Sequence, residues 1–178
     1  MSYKDNRTNT KRLTVCAMLA ALGVALLYMG AIIEVVEISM AVLASLLCVV
    51  AVIEYGGRWP WMIYAVTAVL ALVLLPNKTA AVYYAVFFGF YPILKEKLEK
   101  LPRLLSWVLK EIVFNAALAA VVVVSVWVLL TENNTLLSQP IFIVGALVLA
   151  ELVFVLYDIA LTRLITFYIV ALRKRFRF

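Results

Sequence analysis

Apolar residues fall in long runs, separated by short polar breaks, with neither the two-residue alternation of a half-buried strand nor the spaced stripe of a soluble amphipathic helix. The runs cover residues 13–33, 38–53, 59–75, 79–94, 104–130 and 140–163. A helix crosses a hydrocarbon core with about 20 apolar residues, so the pattern predicts an all-α, polytopic membrane helix bundle of six transmembrane helices. The breaks carry turn chemistry. Glu34 and Glu37 close the first run, and Glu54-Tyr55-Gly56-Gly57-Arg58 closes the second. Paired glycines mark a tight turn, and Pro60 suits the first turn of the helix that follows. Trp59 and Trp61 suit a membrane interface. Pro76-Asn77-Lys78, the stretch from Lys95 to Arg103 and the stretch from Thr131 to Gln139 supply the remaining breaks.

Three runs depart from ideal length. The second and fourth are short, and need a thin bilayer or extension into their flanking turns. The last apolar stretch continues from Pro140 to Leu172, and as one helix would measure about 50 Å, against a core of about 30 Å. It must tilt or leave the membrane, and residues 164–178 are expected as a cytoplasmic or interfacial extension.

Composition agrees with the pattern. Hydrophobic residues make up 67% and charged residues 15%, with a mean hydropathy of +1.08, against about 45–50% and about 25% in soluble domains. The 178 residues are read as one integral membrane domain with no room for a soluble one. There is no histidine, which removes the commonest general base and metal ligand. Cys16 and Cys48 lie inside apolar runs and form no CxxC, so neither a disulfide framework nor a zinc site is expected. Charge sets the orientation. Of the 16 Lys and Arg, 14 precede the first run, follow the second, surround the fourth-to-fifth connection or lie in the tail; only Lys78 falls on the other side, and Arg163 lies in the last helix. The positive-inside rule places both termini in the cytoplasm, in a cell membrane. The net charge of +6 is then an orientation signal, with the basic tail resting on anionic headgroups, and calls for no nucleic acid.

Polar groups inside runs are costly in lipid and mark candidate sites. Asn115 and Glu151 each lie eleven residues from the start of their run, about 16 Å deep. They are either a substrate-contacting pair at a cavity floor or an interhelical polar clasp. Glu111, Asp158 and Arg163 near the inner ends are explained by snorkelling and local neutralisation, with Glu111–Arg163 or Asp158–Lys110 pairing. The outer side collects Glu34, Glu37, Asn77, Lys78, Glu132, Asn133 and Asn134. These form a mouth favouring cationic or zwitterionic solutes, or ordinary solvated loops. Tyr83 and Tyr84 follow one of these turns, placed to stack on a ring-shaped ligand or to join an aromatic belt.

The first run contains Ala17, Ala21 and Ala25, one every four residues. This stripe lets another helix approach closely, within the bundle or outside it. A basic N-terminal segment leading into an Ala-x-x-x-Ala first span, in a short six-span chain with both ends inside, resembles the substrate-binding S components of energy-coupling factor (ECF) vitamin transporters. The resemblance implies that Ala17, Ala21 and Ala25 dock on a transmembrane coupling subunit served by an ATPase pair. It also implies a vitamin-like solute bound from outside, with Asn115, Glu151 and the outer residues Glu34, Glu37, Asn77 and Tyr84 as the nearest candidates. The substrate signatures of the riboflavin, thiamine, biotin and folate members are absent, and the long last helix departs from the family. The chain has no GxxxxGK[ST] of its own, so energy would come from the partners.

A second expectation is a non-catalytic cell-envelope scaffold similar to the MreD proteins, with the basic segment 95–103 and the tail as partner sites. An intramembrane enzyme or ion-coupled carrier ranks last. There is no HExxH, Ser–Lys constellation or facing Asp pair, and no internal repeat or broken helix of the kind carriers show. No catalytic residue, cofactor or metal is expected.

Overall fold

The computed structural model describes residues 3–128 and 140–172, with side chains over 9–33, 35–123 and 144–170. Among these residues the chain is helical apart from short turns, with no strand. The elements are α1 (Tyr3–Ile32), α2 (Glu37–Glu54), α3 (Trp59–Leu74), α4 (Thr79–Tyr83), α5 (Tyr91–Leu98), α6 (Arg103–Val128) and α7 (Pro140–Phe167). Four stretches are long and apolar enough to cross a membrane: Asn9–Ile32, Glu37–Glu54, Arg103–Val123 and Val144–Val170. This fits a membrane protein. The 16-residue α3 is shorter, at about 24 Å.

The chain forms two compact units, residues 1–124 and 125–178. In the first, α1 packs along α2 and α3. Alanine dominates the core, which includes Ala20, Ala31, Ala41, Ala44, Ala51, Ala68, Ala71, Ala80 and Ala81 around Leu27, Ile63, Leu75 and Tyr84. Small side chains let helix backbones approach where lipid supplies no hydrophobic drive for association. Two glycines extend this on α1. A Cβ on Gly30 would lie 3.0 Å from Met40 Cβ, and one on Gly23 would lie 3.1 Å from the Thr67 methyl.

The turns follow from their residues. Tyr55 and Gly56 both donate their N–H to the Ala51 carbonyl, at 3.0 and 3.1 Å. The chain then passes through Gly56 and Gly57 at φ 57° and 60°, the left-handed region that glycine enters without a Cβ penalty. Leu75, ahead of Pro76, is extended at ψ 135°, as a residue preceding proline prefers. Asn77 then starts α4, its Oδ1 accepting from Thr79 N at 3.0 Å and Thr79 Oγ1 at 2.6 Å.

The fourth apolar run is not the single regular span 79–94 expected from composition. After α4 the helix widens over Tyr84–Phe88, where Gly89 N donates to Tyr84 O at 2.7 Å, five residues back. It restarts as α5 at Tyr91. Wide turns of this kind are rare and concentrate at functional sites. Gly89 permits this one, since a Cβ there would fall 2.6 Å from Tyr64 and 2.8 Å from Tyr84. Tyr64 Oη donates to the Ala85 carbonyl at 2.7 Å, which ties the wide turn to α3. Phe87 stacks edge-on against Phe114 of α6 at 5.4 Å.

In the second unit, Phe154, Asp158 and Leu161 are the buried positions of α7. They share one face, at i, i+4 and i+7. Thr162 and Thr166 donate to the carbonyls four residues back, at 2.8 and 2.9 Å. The helix widens again at Tyr168–Leu172. The last helix thus runs on past residue 163 without a break.

Candidate functional site

The first unit holds polar groups at three levels. At the end where α2 begins, Asn77 Nδ2 donates to Glu37 Oε1 at 2.8 Å. Glu37 is buried, at 9% exposure, and Tyr83 lies within electrostatic reach of it. Lys78 Nζ donates to the Leu75 carbonyl at the end of α3, at 2.6 Å. A single side chain, Asn77, therefore binds Thr79 at the start of α4 with its oxygen and holds Glu37 with its amide. The result is a buried carboxylate at the start of α2 held by the neutral Asn77 amide, with Lys78 next to Asn77 in the chain. Charge-assisted hydrogen bonds of this kind orient a carboxylate toward a cationic or hydrogen-bonding solute.

At mid-depth, Cys48 Sγ and Tyr84 Oη share a hydrogen bond at 3.2 Å in which either can donate. Both residues are fully buried. Thr67 of α3 faces Tyr84, and its hydroxyl is buried without a partner in hydrogen-bond geometry. The level thus joins α2, α3 and the wide turn, with Gly23 of α1 against the Thr67 methyl.

At the opposite end, Lys95 lies 2.8 Å and Lys110 lies 3.4 Å from Glu99 Oε1. Lys95 is 1% exposed. Lys110 also sits 5.8 Å over the Trp107 ring, and Lys97 6.0 Å over the Trp61 ring. Glu96 pairs with Lys100 at 3.0 Å.

The candidate residues read from the sequence distribute as follows. Glu37 and Asn77, forty positions apart, are brought into contact. Glu34 opens the short turn Glu34–Val36; its side chain lies outside the described residues, as do Glu132, Asn133 and Asn134. Tyr84 is at neither a mouth nor an interfacial belt. It lies in the core at 0% exposure, because its position on the α4 side of the wide turn directs it at α2. Asn115 is exposed on α6 and donates to the Glu111 carbonyl of its own helix at 3.1 Å. Glu151 is half-buried on α7, in the other unit. Ala17, Ala21 and Ala25 are all exposed. The buried positions of α1 are Cys16, Ala20, Gly23, Leu27, Gly30 and Ala31. Both cysteines are free and buried. No cluster of three or more metal-ligating side chains occurs among the described residues.

The sequence reading missed the Cys48–Tyr84–Thr67 level. Its signals were a single threonine in the run 59–75 and a tyrosine five residues before a glycine. No family model, curated protein or solved structure matches the chain.

Proposed function

We propose that this chain is the solute-binding membrane subunit of an energy-coupled transporter of the ECF type, with six spans and both termini in the cytoplasm. The observation that supports this reading most is the exposure of Ala17, Ala21 and Ala25 on α1. If the stripe served packing within this bundle, it would be buried. Lipid contact alone does not select alanine. The exposed positions of α3 include Val66, Val69, Leu70 and Val73 beside a single alanine, Ala65, whereas α1 places three alanines in one line. A smooth alanine strip flanked by Leu13, Met18, Leu22 and Met29, all exposed, suits a partner helix that must approach closely and release.

On this reading the solute enters from the end where α2 begins, and Glu37 with Asn77 contributes the polar contacts. The chemistry favours a small solute bearing a cationic or donor group, vitamin-like in size. The driving energy comes from a coupling subunit and its ATPases.

The test is association. The full chain, purified from its native cell in mild detergent, should carry a membrane coupling protein with an ATPase pair, or retain a vitamin-sized mass. Retention of cell-envelope proteins alone, without a small molecule, would favour a scaffold instead.

A further inference from the structure

The end of the first unit that holds Trp61 carries six Lys and Arg against four Glu over residues 54–61 and 91–111. Residues 54–61 and 91–111 meet there, because Lys97 of α5 sits over the Trp61 ring of α3 at 6.0 Å. Glu99 is taken by Lys95 and Lys110, and Glu96 by Lys100. Arg58, Lys97 and Arg103 remain, all exposed, and none pairs with a carboxylate among the described residues. Arg58 precedes Trp61 by three residues and caps the same helix end, with no side-chain cap bond of its own. Two exposed cations, Arg58 at the start of α3 and Lys97 over the ring, thus flank an indole 39% exposed.

That combination fits one partner. A tryptophan at a helix end seeks the headgroup level of a bilayer, and the cations then meet phosphate. We propose that Arg58 and Lys97, around Trp61, form a binding surface for the headgroup of an anionic phospholipid. The surface is distinct from the Glu37–Asn77 end and depends only on the chain being a membrane protein, so it stands or falls independently of the transport reading. Guanidinium gives two-pronged contact with phosphate oxygens. Lys97, held over the indole, supplies a point charge at small further ordering.

The test uses the full chain in detergent and native mass spectrometry with equal amounts of phosphatidylglycerol and phosphatidylcholine. Wild type should retain phosphatidylglycerol preferentially. Each cation near a bilayer surface is worth about five-fold in anionic-lipid affinity, so Arg58→Gln with Lys97→Gln should weaken retention about 25-fold and leave phosphatidylcholine unchanged. The charge-preserving Lys97→Arg should keep the preference. Raising salt on wild type should reproduce the loss without any substitution, which separates it from misfolding of the double variant. Equal retention of the two lipids by wild type would overturn the proposal. So would undiminished phosphatidylglycerol binding by a folded double variant, or full competition by soluble glycerol phosphate.

Discussion

Helix α1 carries small residues on two faces, and the faces meet different neighbours. Cys16, Ala20, Gly23, Gly30 and Ala31 are buried against the core, whereas Ala17, Ala21 and Ala25 are exposed. On the buried face smallness has a visible use: Met40 and the Thr67 methyl come within 3.0 and 3.1 Å of where a Cβ would sit on Gly30 and Gly23. The exposed face is not buried against any described residue. The contrast teaches that a small-residue pattern specifies close approach without saying to what. Where a chain keeps alanines on a surface that leucine would fill better, the missing neighbour is the thing to look for.

The comparison can be broken by substitution. The largest expected effect is on the buried side. Gly30→Leu forces a branched side chain against Met40 and the Glu37 backbone, 3.0 and 3.4 Å from the Cβ position, and should destabilise the detergent-solubilised protein by at least about 1–3 kcal/mol. The thermal midpoint reads this out. Asn77→Ala comes next. It removes the acceptor for Thr79 and the donor to Glu37 together, an expected loss of about 1–2 kcal/mol, with solute retention reduced if that end binds. Tyr84→Phe removes the shared hydrogen bond with Cys48 and should cost about 1 kcal/mol. Thr67→Val exchanges a buried hydroxyl without a partner in hydrogen-bond geometry for a methyl, and should be neutral or mildly stabilising. A clear loss of stability there would mean that the hydroxyl is bonded. The smallest stability effect belongs to the exposed face. Ala21→Leu should stay within about 0.5 kcal/mol, while hindering any partner that uses the strip.

The positions of the polar breaks were legible in the sequence because charge, Gly and Pro interrupt apolar runs sharply. Gly56-Gly57 and Pro76-Asn77 turned the chain where they were expected to. The wide turn at Tyr84–Phe88 was not legible, since composition is blind to whether a carbonyl is bonded four or five residues on. Gly89, close-packed against two tyrosine rings, was its one trace. The outer polar residues were visible singly. Their pairing was not, because Glu37 and Asn77 are forty residues apart and only the return of α3 along α2 brings them together. Tyr84 was misjudged for a related reason. Its nearness to a polar turn was read from sequence distance, whereas its direction depends on helix phase. Depth estimates for Asn115 and Glu151 rested on rise per residue, which fixes height and leaves azimuth open. Asn115 is exposed on α6, with its amide on its own helix.

The central claim is that the alanine strip of α1 is a docking surface, and one measurement addresses it directly. Wild type and Ala21→Trp are purified from the native cell in mild detergent and compared by native mass spectrometry, with the thermal midpoint confirming that the variant is folded. The account predicts a coupling subunit with its ATPase pair on wild type and their loss from the folded variant. An Ala21→Trp protein that keeps every wild-type partner and undiminished uptake would contradict it.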